Sequence, residues 1–520
     1  NLMEYNQPSE IVKDLSFGDS GKNRIYAGVN KLAEAVKSTL GASGKCVIYE
    51  DARGKPVITK DGVTVAESVV LFDPVENIGA TLIKEASRNT VKEAGDGTTT
   101  AIVLAQSLLK HSTSATDNIR NVKLGIHSGL DKINAYLDKK SIDVKDEMLA
   151  SVATISCNND AELGDTIANA YKVVGRNGIV LMEESEDNTT HVETVDGVQL
   201  ECGLTSPHLS TDKDKQRAVL DNPLVLIVSS TIPNVRKIQN VLEHVIKNRK
   251  SLLIVADVEQ SVKAALLMNK VKGNINVNII DLPGFGPTKQ ETVEDLAFLT
   301  GAKVINEELG DDMDFIDPTV LGKAVKSVTD SNTTVLTVAD VPDLSDRIES
   351  VREKIKVEKN PFIKRKIEQR LAMLSGSVGI IRVGADSKVE LKEKKDRVED
   401  AIYAVKAALK EGIVAGGGIA LLNASQKIKP ENEGERIILE AIKAPYYTIL
   451  DNAGMGDSVT PVKQGYGIDV VTGKNVDMIK EGVIDPVMVT KTALKNAVSV
   501  VSTIISADCI ISNMRTNEGN

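Results

Sequence analysis

The feature that most constrains the fold is a set of three continuous apolar runs in the middle of the chain. They read "PLVLIVSS", "SLLIVAD" and "INVNIIDL", and all lie between Pro223 and Lys303. The segments that separate and follow them have the periodicity of amphipathic helices. Continuous apolar strands that alternate with helices predict a sheet buried on both faces. The middle of the chain is therefore expected to form an α/β layer.

Both flanks of this layer are predicted to be mainly helical. Apolar residues recur at helical spacing from Ile25 to Leu40, where Gly41 follows as a stop signal, and helices continue to about residue 139. The stretch "KCVIYEDARGKPVITKDG" interrupts them with two short strands around a turn. Between the layer and the last helices, a charged stretch predicts two amphipathic helices joined at Pro361. The order suggests that the middle is inserted into a helical domain made from both termini.

Composition excludes several classes of function. The 520 residues suggest about three domains. A net charge of -10 and a pI near 5.3 make nucleic acid an unfavourable partner. No uninterrupted apolar stretch is long enough to cross a bilayer, and the start lacks the order of a signal peptide. A cytoplasmic protein is expected, in a bacterial cytosol or in a host cytosol if the protein is virus-encoded.

Cysteine and histidine spacing gives no sign of a metal site. The cysteines never form a CxxC pair, and the histidines show no HExxH spacing or clustering. Free thiols in a reducing compartment are expected. The residues concerned are Cys46, Cys157, Cys202, Cys509, His111, His127, His191, His208 and His244.

The stretch "AGDGTTTAIVLAQSLL" at residues 94–109 has two interpretations. The glycines permit a sharp turn, and the threonines that follow offer amides and hydroxyls at the start of a helix. One interpretation is a plain helix cap, and the other is a phosphate cradle with Asp96 as ligand of a bridging Mg²⁺. No Walker A loop is present, because "GDSGKN" and "GASGKC" fail its spacing.

Three further features are ambiguous when taken singly. Asp61 in "TKDG" and Asp400 in "RVEDAIYAV" could orient a hydrolytic water, or could be ordinary cap and turn residues. "VAGGGIALL" allows close approach of a ligand or of another backbone, and is a weak signal alone.

Together these motifs carry a resemblance. "TLGASGK", "ITKDGVTVA", "AGDGTTTAIVLAQ", "LPGFG", "VELKEKKDRVEDAIYAVKAALKEGIVAGGG" and "GVIDP" occur in the order found in group I chaperonins. The chain therefore resembles the GroEL type over essentially its whole length. The resemblance implies a multidomain fold of three parts. They are a helical equatorial ATPase domain at 1–139 and 411–520, a small α/β intermediate hinge domain at 140–195 and 379–410, and an α/β apical domain at 196–378.

The resemblance also implies site residues for ATP, Mg²⁺ and K⁺. Asp96 resembles the Mg²⁺ ligand, Asp400 the carboxylate that activates the attacking water, and Asp61 a second carboxylate near that water. Lys60 is similar to the residue beside the phosphates and K⁺. The other nucleotide contacts implied are Thr39, Leu40, Gly41, Ala42, Gly97, Thr98, Thr99, Thr100, Gly417, Asp469, Val470, Val471 and Asp485.

In the apical domain the resemblance implies a surface for unfolded protein. Its apolar residues would be Leu204, Leu209, Leu242, Leu267 and Met268. For Leu242, Leu267 and Met268, helical apolar spacing by itself is equally typical of core. Gln239 and Lys263 stand where the family usually has apolar residues.

The function implied is an ATP-dependent chaperonin that hydrolyses ATP and folds client proteins inside a homo-oligomeric ring. A seven-subunit ring or double ring and a GroES-type lid are the expected assembly. Two alternatives remain: a passive holdase or scaffold ring with altered use of a co-chaperonin, and a compact small-molecule kinase or ATPase.

Overall fold

A computed structural model describes residues 11–514 except Asn177, Asp214, Phe285 and Val459. The start of the first predicted equatorial segment and the end of the second therefore lie outside the described residues. Phe285 of the "LPGFG" motif also lies outside them. The helices are α1 (Gly18–Lys37), α2 (Gly62–Ser68), α3 (Pro74–Ala94), α4 (Thr98–Ser112), α5 (Ile119–Lys140), α6 (Leu149–Ser156), α7 (Ala161–Val174), α8 (Gln239–Lys247), α9 (Gln260–Val271), α10 (Lys289–Thr300), α11 (Ser345–Val357), α12 (Pro361–Ser375), α13 (Lys388–Glu411), α14 (Ile419–Lys427), α15 (Glu433–Ala441), α16 (Ala444–Asn452) and α17 (Val487–Ser506).

The strands are mostly short. They are β1 (Lys13–Phe17), β2 (Val47–Glu50), β3 (Pro56–Thr59), β4 (Ile179–Glu184), β5 (His191–Leu200), β6 (Ala218–Asp221), β7 (Leu224–Ile232), β8 (Leu252–Val258), β9 (Val277–Ile280), β10 (Gly322–Lys323), β11 (Lys326–Thr329), β12 (Thr334–Thr337), β13 (Ser377–Val383), β14 (Ile413–Ala415), β15 (Tyr466–Asp469), β16 (Lys474–Asp477), β17 (Ile484–Pro486) and β18 (Cys509–Asn513).

The chain divides into two compact units. The terminal unit takes the described parts of Asn1–Ala168, Glu186–Asn188 and Val383–Asn520, and the inserted unit takes those of Asn169–Ser185 and Thr189–Arg382. One unit is thus made from both chain ends, while the middle of the chain forms the other. The boundaries of a separate intermediate domain stay a prediction.

The terminal unit is a helical bundle around one apolar core. Helices α1, α3, α4, α5, α15 and α17 bury side chains such as Leu32, Ile83, Leu104 and Ile126 in it. Truncating one such leucine to alanine would cost ~2–5 kcal/mol of stability. Strand β1 pairs antiparallel with β18, with Lys13 opposite Asn513, and thereby joins the two ends of the described chain.

The inserted unit contains the predicted α/β layer. The three apolar runs form β7, β8 and β9, which are parallel, and the short β10 adds an antiparallel edge. Alternate residues of these strands face two different cores. Leu226, Leu252 and Ile254 pack with α8 and α9 on one face, whereas Ile227 and Leu253 pack with α10 on the other.

A second sheet in the inserted unit has no counterpart among the sequence predictions. Its six strands run in the order β4-β13-β5-β12-β11-β6, so strands distant in sequence become neighbours. The two charged helices predicted around Pro361 are confirmed as α11 and α12, with Pro361 as the first residue of α12. Within the described residues, no helix is both long and apolar enough to cross a membrane.

Candidate nucleotide site

The turn between α3 and α4 is built on two left-handed glycines. Gly95 ends α3 with φ 76°, and Gly97 precedes α4 with φ 87°. A Cβ atom at Gly95 would lie 2.3 Å from the ring of Tyr403, and one at Gly97 would lie 2.7 Å from Val489 Cγ1. Both the backbone angles and the space therefore require glycine.

Helix α4 begins without a side-chain cap. Its N-cap is Gly97, and in the described part of the chain nothing accepts a hydrogen bond from the amides of Thr98, Thr99 or Thr100. Thr99 Oγ1 is so near α2 that a Cβ at Gly62 would lie 2.0 Å from it. Free amides at a helix N-terminus, together with the helix dipole, attract an anion.

The Asp96 carboxylate lies beside these amides. Its Oδ1 accepts a hydrogen bond from the Gly97 amide at 2.6 Å, and its Oδ2 accepts one from Ser156 Oγ at 3.3 Å. Burial raises the pKa of Asp96, the two hydrogen bonds oppose this rise, and the charge of Asp61 adds to it. A cation would therefore be favoured next to this carboxylate.

Asp61 has a structural role in addition to its predicted one. It is the N-cap of α2, where it accepts hydrogen bonds from the Val63 amide at 3.2 Å and the Thr64 amide at 2.9 Å. Thr64 Oγ1 also donates to it, at 2.5 Å. The neighbouring Lys60 is partly buried, and no ion pair of its ammonium group is found among the described residues.

A third carboxylate converges on the same place. Asp485 lies on β17, paired with Val414 of β14. Burial raises its pKa to about 7, and the charge of Asp96 contributes to the rise. Among the described residues, no group of three His, Cys, Asp or Glu side chains forms a complete metal site. A metal held here would need further ligands from the nucleotide or from water.

Asp400 reaches this region from α13. Helix α6 packs against α13, and Cys157, which follows α6, donates a hydrogen bond from Sγ to the Arg397 carbonyl at 3.7 Å. Burial raises the pKa of the Cys157 thiol to about 12, with the charges of Asp160, Asp400 and Asp96 contributing. Asp400 lies three residues after Arg397 on α13, and Ser156, which donates to Asp96, directly precedes Cys157.

The predicted first loop is fixed by a residue that the sequence analysis missed. Asn452, at the end of α16, donates its Nδ2 to the carbonyls of Lys37 at 2.9 Å and Leu40 at 2.8 Å. A Cβ at Gly41, whose φ is 86°, would lie 3.1 Å from Ile449. The loop containing Thr39, Leu40, Gly41 and Ala42 is therefore held against α16.

The glycine run gives α14 a start like that of α4. Gly418 is the left-handed N-cap, without a side-chain hydrogen bond, and its Cβ position lies 2.6 Å from the Tyr446 amide. Gly417 approaches Met478 Cε, 2.8 Å from its Cβ position. Close backbone packing thus accounts for part of the glycine requirement.

The nucleoside residues predicted near β15 have different surroundings from one another. Asp469 holds a turn, because its Oδ1 accepts from the Val471 amide at 3.0 Å and its Oδ2 from Thr472 Oγ1 at 2.7 Å. Val470 packs against the apolar cluster around Met478, whereas Val471 is 70% exposed. Asp469 therefore has its carboxylate engaged within the turn.

The predicted client residues of the inserted unit divide into two kinds. Leu204, Leu242 and Leu267 are partly buried against the core, and Met268 is 59% exposed. Leu209 is fully buried within that core. Its expected contact with a client stays a prediction, and it would require the side chain to become exposed.

Sequence reasoning missed Ser156, Asn452 and Tyr403. Each contacts a residue that is distant in sequence: Ser156 contacts Asp96, Asn452 contacts Leu40, and Tyr403 packs against Gly95. No sequence motif indicates these contacts. Of the residues that they contact, Gly95 and Asp96 could be singled out from the sequence, because they lie in the "AGDGTTT" stretch.

The comparisons with known proteins show the family and the fold of the chain. The chain matches the model of the TCP-1/cpn60 chaperonin family over residues 32–515, and it therefore belongs to this family. Its fold is the multidomain α/β and α chaperonin fold that the motifs predicted.

The chain is similar to the chaperonin gp146 from the bacteriophage EL 2 (Pseudomonas aeruginosa), solved in two crystal forms in the presence of ATP-BeFx. Crystal form II matches with a TM-score of 0.73 at 20% sequence identity, covering 96% of this chain and 99% of that one. Crystal form I matches with a TM-score of 0.65 at the same identity and coverage.

Proposed function

We propose that this chaperonin binds and hydrolyses Mg²⁺-ATP at the Asp96 site, and that ATP drives the folding of captured client proteins. The observation that carries the proposal is the start of α4. Its open amides lie beside a carboxylate whose pKa is raised by burial and by a second carboxylate. Such a place suits an anion and a divalent cation together, which is the chemistry of a metal-bound polyphosphate.

The residues of the chain would share the nucleotide between them. The amides of Thr98, Thr99 and Thr100 and the ammonium group of Lys60 would hold phosphate oxygens, and Asp96 would hold Mg²⁺. The bound metal would neutralise phosphate charge and stabilise the charge that develops on transfer. The nucleoside would lie along the Asn452-held loop, Gly417, Asp485 and the turn at Asp469, Val470 and Val471, with K⁺ near Lys60.

Asp400 would orient the attacking water as a general base, and Asp61 would assist from the α2 cap. Both oxygens of Asp61 already accept hydrogen bonds from α2. Asp61 is therefore less available to take a proton. Ser156 would orient Asp96, because its hydroxyl fixes the carboxylate oxygen that the Gly97 amide leaves open.

Replacing Asp400 with alanine tests the mechanism. We expect ATP turnover to fall about 100-fold or more, since a general base supplies a factor of about 10²–10⁴. ATP affinity, measured with a fluorescent analogue, should change little. The matched control is Glu390→Ala, which removes an exposed carboxylate from the first turn of the same helix. Normal turnover in Asp400→Ala would contradict the assignment.

The proposal includes assembly into a seven-subunit ring or double ring that encloses the client, with a GroES-type lid as partner. Negative-stain microscopy with and without ATP would display ring order and lid state directly. A refolding assay with ATP, with and without a co-chaperonin, separates a folding ring from a passive holdase. A compact monomer that phosphorylates a metabolite would contradict the proposal.

A further inference from the structure

The segment that carries α8 and α9 has a charge opposite to that of the whole chain. Between Val235 and Gly273 there are eight Lys or Arg residues and three acidic ones, whereas the chain has a net charge of -10. Helix α9 contains two lysines and no acidic residue. This part of the inserted unit is therefore a local basic region on an acidic protein.

Helices α8 and α9 lie side by side on one face of the parallel sheet. Val241 and Val245 of α8 and Val262 and Leu266 of α9 are buried in the same core cluster. Two consecutive right-handed crossovers between adjacent parallel strands place their helices on one face. The outer sides of α8 and α9 thus lie on the same face of the inserted unit, and we call the surface between them the groove.

The sides of α8 and α9 that face away from the core carry apolar residues. On α9 the residues Ala264, Leu267, Met268 and Val271 follow helical spacing opposite the buried Val262 and Leu266. Met268 is 59% exposed and Val271 is 83% exposed. On α8, Leu242 is partly buried and Ile246 is 48% exposed. Together these side chains form an apolar stripe whose exposed members are Ile246, Met268 and Val271.

Basic side chains without an acidic partner border the stripe. Lys263 lies one turn before Leu267, and neither it nor Lys247 or Lys272 forms an ion pair within the described residues. Two other lysines are engaged. Lys237 pairs with Asp314, and Lys270 donates to the carbonyls of Leu209 and Val277. Lys263 is therefore a cation that forms no ion pair within the described residues and lies on the same helix as the exposed Met268 and Val271.

We propose that the groove between α8 and α9 selects non-native client segments in which apolar residues are interleaved with Asp or Glu, and that Lys263 is a specificity-determining residue. This proposal rests on the proposed function, because it names the class of client that the chaperonin captures. The apolar stripe supplies affinity, and the free cations favour acidic segments and repel basic ones.

The screening of exposed charges gives a direct signature. The Debye length falls from about 10 Å at 0.1 M salt to about 3 Å at 1 M. Selection by charge should therefore weaken with salt, while apolar binding should persist.

Two synthetic fluorescent peptides with identical apolar residues test the proposal, one with Glu and one with Lys at the intervening positions. Each is titrated with the intact, nucleotide-free protein, and binding is followed by anisotropy. We expect the Glu peptide to bind about 10-fold more tightly at low salt, and the preference to be mostly lost at 1 M salt. The salt series on the unmodified protein keeps the test valid even if a variant folds poorly.

Variants then locate the preference. Lys263→Gln should reduce the Glu-peptide preference about 3-fold, and Lys263→Glu should reduce it further. The matched control, Lys364→Gln, removes an exposed lysine of α12 and should change nothing. Equal binding of both peptides, or a preference unchanged in Lys263→Glu, would overturn the inference.

Failure of the inference and failure of the proposed function are distinguishable. If neither peptide binds but the protein still prevents aggregation of a denatured client in an ATP-dependent way, the groove takes another occupant and only the inference is overturned. If peptide binding, aggregation prevention and ATP turnover are all absent, the proposed function fails with it.

Discussion

The starts of α3, at Pro74, and of α4, at Thr98, lie in one helical bundle, yet they are completed in opposite ways. At α3, Asp73 accepts hydrogen bonds from the Val75 amide at 2.8 Å and the Glu76 amide at 3.1 Å, and Arg24 donates to it as well. At α4, Gly97 offers no side chain. One helix end is complete within the protein, and the other leaves its first amides without an acceptor among the described residues.

An uncapped start is not by itself the signal of a site, because α1 and α17 also lack a side-chain cap. Among the helices whose N-cap is described, α4 and α14 are the ones that begin at a left-handed glycine. Gly97 belongs to the predicted nucleotide site, and Gly418 directly follows the predicted contact Gly417. At α4 the buried carboxylate of Asp96 lies alongside. The comparison teaches that the start of α4 differs from the other uncapped starts in combining open amides, a required glycine and a buried carboxylate.

Among the changes that test the difference between the two helix starts, the substitution of Asp96 should have the largest effect. Asp96→Asn keeps the shape and can still accept from the Gly97 amide, but it removes the charge that would bind Mg²⁺. We expect kcat/KM for ATP to fall about 100-fold or more, with the fold intact by circular dichroism. Asp73→Asn, at the capped end, is the control and should turn over ATP normally. Equal ATP turnover by Asp96→Asn and Asp73→Asn would contradict a difference in function between the starts of α3 and α4.

Substitutions of Asp73, at the capped start of α3, should lower the stability of the protein and leave its affinity for ATP unchanged. Asp73→Ala loses the cap and the partner of Arg24, so the free energy of unfolding should fall by about 1–2 kcal/mol in urea denaturation. Asp73→Asn keeps a good cap and should lose less. An ATP affinity weakened by Asp73→Ala would show that the two ends are not separate in function.

The smallest expected effect concerns the pH dependence at Asp485. Burial raises its pKa from 3.8 to about 7, so its ionisation disfavours the folded state as pH rises from about 4 through 7. Asp485→Asn should therefore leave nucleotide-free protein unchanged at pH 4 and stabilise it at pH 8. We expect a gain on the order of 1 kcal/mol, because solvent partly reaches the side chain.

The measurement is the urea midpoint of the nucleotide-free protein at both pH values. Asp457→Asn, at an exposed position, is the control and should be neutral at both. A stabilisation of Asp485→Asn at pH 4 as large as that at pH 8 would contradict an origin in ionisation.

Local patterns predicted a large part of the fold. Apolar runs predicted β7, β8 and β9, and charged periodicity with Pro361 predicted α11 and α12, because each depends on residues close in sequence. The six-stranded sheet was not predicted, since its neighbours, such as β13 and β5, are almost 200 residues apart. The pairing of β1 with β18 likewise has no local signal.

For this protein, the sequence by itself determined the chaperonin family, the glycine-bordered Asp96 and the start of α4, because turn geometry and helix capping are short-range properties. The tertiary structure alone decided that Ser156 hydrogen-bonds to Asp96, that Asn452 holds the Leu40 loop, that burial raises the pKa of Asp485, and that Leu209 is buried. Burial and long-range hydrogen bonds depend on which distant segments meet, and that is settled only when the core closes.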